Sequence, residues 1–175
     1  GQEAEINSMS AELILGNLRG AIEAPAGCGK TQTIVDALAF STSKPYLVLT
    51  HTTAGVAALR KRLTRANVPA KNYVLSTIDG WSVRIASSFS QNCQITSPAE
   101  NSSAYYPELR NVVSHYLASG SLHEAIRASY SRLIVDEYQD CNQEQHSIVS
   151  SIAECIPTIV LGDPMQLIFN FGGST

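Results

Sequence analysis

Short apolar runs alternate along the chain with stretches whose apolar residues recur every three to four positions. That pattern predicts βαβ units on a mostly parallel sheet. Residues 20–24 (GAIEA) form a first expected strand that enters a glycine-rich turn. A helix follows from Thr31 to Phe40, with Ile34, Val35, Leu38 and Ala39 on its apolar side. Tyr46–Thr50, after Pro45, is a second buried strand. Thr53 is placed to cap the next helix, which turns Val56, Leu59 and Leu63 inward and a basic cluster outward. Tyr73–Ser76 is a third, short strand.

Residues 86–103 are rich in Ser, Asn and Gln and interrupt the alternation, so a flexible loop or reduced insertion is expected over 85–106. Pro107 suits the first turn of a helix whose core stripe is Leu109, Val112, Val113, Tyr116 and Leu117. Gly120 can end that helix, and Ser121-x-x-Glu124 has the form of a capping box for the next. Leu133–Asp136 reads as a strand, Gln143–Ala153 as a helix and Thr158–Gly162 as the last strand. There is no internal repeat and no heptad pattern.

Composition narrows the class. At 175 residues, 44% apolar and 15% charged, the sequence fits one soluble globular domain, 1–175. No apolar run approaches the ~20 residues that span a bilayer, so no membrane partner is expected. The four scattered cysteines, Cys28, Cys93, Cys141 and Cys155, read as reduced intracellular thiols, and a cytoplasmic setting is expected. The net charge of −3 argues against binding nucleic acid through bulk charge. Yet Arg60, Lys61, Arg62, Arg65, Lys71 and Arg84 face only Asp79 between residues 51 and 85. A face with that local excess can follow a phosphate backbone, or it can be a solvated helix side.

Three stretches carry chemistry. Ala24-Pro25-Ala26-Gly27-Cys28-Gly29-Lys30-Thr31 sits between a predicted strand and a predicted helix. Small residues there let backbone N–H groups wrap phosphate, Lys30 can reach the outer phosphate oxygens, and the Thr31 hydroxyl suits magnesium. The first glycine of the strict P-loop pattern is replaced by Ala24, so the match is to the relaxed form. Ala26, Gly27, Cys28, Gly29, Lys30, Thr31 and Gln32 are the expected nucleotide contacts. Asp136, at the C-terminal end of a buried strand, is placed to hold Mg²⁺, and Glu137 beside it to polarise an attacking water. Gln166, after the last strand, can contact a γ-phosphate. Phe171, followed by two glycines, is a candidate for stacking on a base.

Together these residues resemble the motifs of superfamily 1 helicases of the UvrD/Rep type. APAGCGKT is similar to motif I, THTTAGVAALRKRL to motif Ia, DEYQD to motif II and GDPMQLIFNFGGS to motif III. STIDGWS stands where that family has TFHS. The resemblance covers roughly residues 20–85 and 130–174. It implies a RecA-like P-loop NTPase domain, a three-layer α/β sandwich with a mostly parallel central sheet. It also implies ATP and Mg²⁺ as cofactors. Lys30 and Thr31 would hold phosphate and metal, Asp136 the magnesium, Glu137 would be the base, and Gln166 the γ-phosphate sensor. Thr50, His51, Thr52, Arg60, Arg62 and Phe171 would meet single-stranded DNA along which such proteins move.

The sequence departs from that pattern in several places. No adenine-reading Gln precedes the P-loop at the usual short distance. Gly172 replaces an Arg, Asp79 replaces a His, and the stretch from Trp81 to Arg132 is shorter than the family's inserted subdomain. These residues reach just past motif III, so a second RecA-like domain, with its arginine fingers, is expected as a partner outside them. Weak or no ATP turnover and no unwinding are therefore expected of the 175 residues alone. A regulatory or defence-associated P-loop NTPase, or a non-catalytic nucleotide- or DNA-binding module, are the alternative readings.

Overall fold

The structure, a computed structural model, describes residues 19–23 and 29–162, with side chains from Gly29 onward. Five strands, β1 (Arg19–Glu23), β2 (Tyr46–Thr50), β3 (Tyr73–Thr77), β4 (Leu133–Val135) and β5 (Thr158–Gly162), form one sheet in the order β1-β5-β4-β2-β3. Every pairing is parallel. All five C-terminal ends therefore lie on the same edge, where open α/β sheets bind their ligands.

The helices are α1 (Gly29–Leu38), α2 (Thr53–Arg65), α3 (Ile78–Ser88), α4 (Ser102–Ala118), α5 (His123–Ser129) and α6 (Gln143–Ala153). Alternation along the strands assigns them to two layers. Tyr46, Val48, Ile134, Ile159 and Leu161 pack with α1 and α2. Leu47, Leu49, Leu133, Val135 and Val160 pack with the helices from α3 to α6. Side chains at successive positions point to opposite faces, so a strand covered on both sides must be apolar throughout. Leu47, Val48 and Leu49, all fully buried, meet that demand. This is the three-layer, RecA-like α/β sandwich expected from the sequence, with a wholly parallel sheet.

Several local expectations shift. Thr52, rather than Thr53, caps α2, its side chain accepting from the Gly55 N–H at 3.0 Å. Helix α4 begins at Ser102, so Pro107 lies inside it and one backbone hydrogen bond is forgone. Residues 85–106 thus hold the end of α3, a connection and the first turns of α4. Glu108 anchors that connection, taking hydrogen bonds from the Thr96 amide (2.6 Å), the Thr96 hydroxyl (2.9 Å) and the Ser97 amide (3.0 Å). Gly120, at φ +82°, follows α4 as expected of a helix-ending glycine. The Ser121–Glu124 capping box does not form. Helix α5 starts after Leu122 with no side-chain cap, because the tight Gly120 turn leaves Ser121 bonded to the Ser119 hydroxyl at 3.1 Å.

Candidate functional site

The parallel sheet brings the end of β4 beside the start of α1. Lys30 Nζ lies 3.0 Å from Asp136 Oδ1, with side-chain exposures of 19% and 13%. The same Oδ1 accepts the Glu137 N–H at 2.9 Å, and the Asp136 N–H donates to the Leu49 carbonyl of β2 at 2.8 Å. Asp136 is thus fixed by its backbone to β2 and by its carboxylate to α1. Glu137 follows at φ 54°, ψ 40°, in the left-handed region that non-glycine residues occupy at a cost of ~1 kcal/mol or more. That turn takes the chain sharply off β4 into a single 3-10 turn, Tyr138–Asp140. Tyr138 is buried within the helical layer beneath, and Glu137 stays partly exposed at the sheet edge.

Of the predicted nucleotide contacts, Gly29, Lys30, Thr31 and Gln32 form the first turn of α1. Free N–H groups and the helix dipole favour an anion there. Ala26, Gly27 and Cys28 lie outside the described residues, as do Gln166 and Phe171. Gln32 turns sideways, donating to Asp36 Oδ1 at 2.8 Å and accepting from Arg62 at 2.7 Å. Arg62 therefore faces α1, whereas Arg60, Lys61 and Arg65 are exposed.

The end of β2 holds the other predicted contacts. Thr50 is fully buried, and its hydroxyl has no hydrogen-bond partner among the described residues. A Cβ on Gly55 would come within 2.8 Å of that hydroxyl oxygen. Thr52 is exposed, with its oxygen committed to the α2 cap, and His51 is partly exposed. At this strand end Thr52 is the exposed residue, and His51 keeps its Nδ1 buried with no hydrogen-bond partner among the described residues.

Two features escaped the sequence reading. Gln139 presses against the end of β5, its Oε1 filling the space where a Gly162 Cβ would stand. Glycine at 162 lets the turn after Glu137 sit directly on β5. The second is a polar cluster around Asp79, at the start of α3. Arg110 donates to both of its carboxylate oxygens, at 2.8 and 2.7 Å, and Gln145 Nε2 donates to Oδ1 at 3.1 Å. Gln145 also closes a capping box with Asn142 at the head of α6. The Asn142-x-x-Gln145 spacing was the available signal for that cap. Burial pushes the Asp79 carboxyl up, but hydrogen bonds from Arg110 and Gln145 and the charges of Arg110 and His51 outweigh it. The carboxyl is held below its ordinary range.

Residues 96–175, just under half the chain, match the family model of the UvrD/REP helicase N-terminal domain. That span includes Asp136, Glu137 and Gln166. The chain is also similar to one subunit of an ATP-dependent helicase/nuclease from Leuconostoc mesenteroides subsp. mesenteroides, with 29% identity over 66 residues. The alignment takes in 38% of this chain and spans 5% of that relative.

Proposed function

We propose, from the premise that this chain carries a UvrD/REP-type helicase N-terminal domain, that it binds ATP with Mg²⁺ at the head of α1 and hydrolyses it as part of a larger DNA helicase. One observation carries the reading. The P-loop lysine and the strand-end acid, far apart in sequence, meet at 3.0 Å on the ligand-binding edge of the sheet.

The donor set fits magnesium. One hydroxyl (Thr31) and one carboxylate (Asp136) are hard oxygen ligands, the small protein contribution that Mg²⁺ combines with substrate phosphates and water. When bound, the ion would neutralise charge on the β- and γ-phosphate oxygens. Lys30 leaves Asp136 and pairs with phosphate instead. Glu137 takes the proton of the attacking water, and Gln166 contacts the γ-phosphate. His51, Thr52 and the exposed Arg60 meet single-stranded DNA, with Phe171 stacking on a base. A second RecA-like domain supplies the remaining cationic charge, which is worth ~10³–10⁵ in rate in related phosphoryl transfers. These 175 residues alone therefore bind ATP–Mg²⁺ but turn it over slowly.

Titration of the chain with a fluorescent ATP analogue and Mg²⁺ tests the proposal. Wild type binds, and Lys30→Ala loses ~10-fold or more in affinity, the worth of one charge-assisted contact. Absent binding, or binding indifferent to Lys30→Ala, removes the nucleotide reading. Robust DNA-stimulated turnover by these residues alone removes the need for a second domain.

A further inference from the structure

The residue that stands where the resembled family has histidine is bonded into three helices. Asp79 opens α3, directly after β3; Arg110 comes from α4; Gln145 comes from the first turn of α6. Both Asp79 oxygens are used, Oδ1 by Arg110 Nε and Gln145 Nε2 and Oδ2 by the other arm of the Arg110 guanidinium. Arg110 is itself stacked 5.9 Å over the Tyr106 ring. Gln145 is 1% exposed, and its remaining polar groups are spent on Asn142. Its N–H donates to Asn142 Oδ1 at 2.9 Å, and its Oε1 accepts the Asn142 N–H at 3.1 Å.

Asn142 is where the turn that begins at Glu137 ends. Between them the turn is closed by two backbone bonds, Asp140 N–H to Glu137 O at 3.0 Å and Cys141 N–H to Tyr138 O at 3.1 Å. The turn is therefore held at both ends. Asp136 and Lys30 hold the first, and Asn142 and Gln145 hold the second, where Gln145 answers to Asp79. Cys141 reports the same proximity. Burial first, then the charges of Asp140 and Asp79, push its thiol up to about 12.

We infer that Asp79 is a positioning residue, which through Gln145 and with Arg110 as its brace fixes the turn that carries Glu137. A bidentate arginine pair has one geometry, so it sets the carboxylate's direction as well as its charge. Gln145 reads that direction and passes it to Asn142 through the capping box. The Asp79 carboxylate touches neither Asp136 nor Glu137; it acts through α6. That the turn serves ATP hydrolysis rests on the function proposed above, whereas the positioning itself does not.

Hydrogen exchange of the ligand-free chain tests it. Asp79→Ala removes the charged acceptor, and the Glu137, Asp140 and Cys141 amides exchange ~10-fold faster, while β2 and β5 amides keep wild-type rates. Asp79→Asn keeps an oxygen for Gln145 but sets an NH₂ against one arm of the Arg110 guanidinium, so its turn amides exchange at rates between those of wild type and Asp79→Ala. Unchanged exchange in the turn overturns the inference, as does acceleration shared equally by β2 and β5. Should Asp79→Ala fail to fold, as read from Trp81 emission, Gln145→Glu takes its place. It keeps the oxygen that accepts from Asn142 while setting a second carboxylate against Asp79. The same localised ~10-fold rise supports the inference, and wild-type rates overturn it. Failure of the wild-type chain to bind ATP–Mg²⁺ counts against the proposed function alone, because exchange is read without ligand.

Discussion

Lys30 is occupied by Asp136 before any nucleotide arrives, and the substitution Asp136→Asn measures what that costs. At 3.0 Å and an effective dielectric of ~20, the gross attraction is about 5 kcal/mol. Desolvation and side-chain ordering offset most of it. A pair this far out of water, yet still partly exposed, retains about 1–2 kcal/mol. A phosphate that recruits Lys30 must first replace that contact. Freeing Lys30 should therefore tighten binding of a Mg²⁺-free nucleotide by roughly 5–30-fold. The same substitution removes the carboxylate proposed to hold magnesium, so the metal should then add little affinity. The assay is a fluorescent ATP analogue titrated against wild type and Asp136→Asn, once in EDTA and once in Mg²⁺. Glu137→Gln is the control: it removes a neighbouring negative charge and leaves the Lys30 pair intact. Its effect in EDTA should stay within ~3-fold, as for a partly exposed charge. The reasoning fails if Asp136→Asn binds no tighter in EDTA than Glu137→Gln, or if it keeps the full gain from Mg²⁺.

Neutralising the exposed Arg60, Lys61 and Arg65 together should weaken single-stranded DNA binding and flatten its salt dependence by about two ions at ~0.7 per contact; unchanged affinity at two salt concentrations returns that face to plain solvation. Gly55→Ala gains ~1 kcal/mol of helix propensity but drives a Cβ to 2.8 Å from the buried Thr50 hydroxyl, a crowding cost of ~1–3 kcal/mol. Its melting temperature should fall, and a rise would contradict the packing. Glu108 is held down at about 2 by hydrogen bonds from the Ser97 hydroxyl, the Thr96 amide and hydroxyl, and the Ser97 amide. A depressed carboxyl stabilises above its ordinary value, and that contribution is lost as pH falls towards 2. The Thr96 and Ser97 amides should therefore lose protection over that window, and Glu108→Gln should remove the pH dependence.

The strands were legible because β2, β4 and β5 are buried on both faces and must be apolar without interruption. The acid pair was legible because Asp136 follows such a run directly. Other features were not. Ser102-Ser103-Ala104 has the composition of a loop, yet it opens α4, where packing of the amphipathic face on α6 outweighs weak local propensity. A helical wheel placed Arg62 with its basic neighbours, but it could not show that its side chain folds back to Gln32. The Asp79 cluster joins three helices far apart in sequence, and no local pattern links Asp79 to Arg110. Only the Asn142–Gln145 half of that arrangement left a spacing to read.

The register of β1 against β5 carries a consequence for the order in which the protein takes shape. Residues 19–23 pair with residues 158–162, the first described strand with the last. During synthesis, β2, β3 and their covering helices can associate while β1 still lacks its sheet neighbour β5. Strand β1 waits until residues 158–162 have emerged. Closing so long a loop before the contact is gained is slow. An arrest or truncation ahead of Thr158 would leave β1 without β5, the neighbour that joins it to the rest of the sheet.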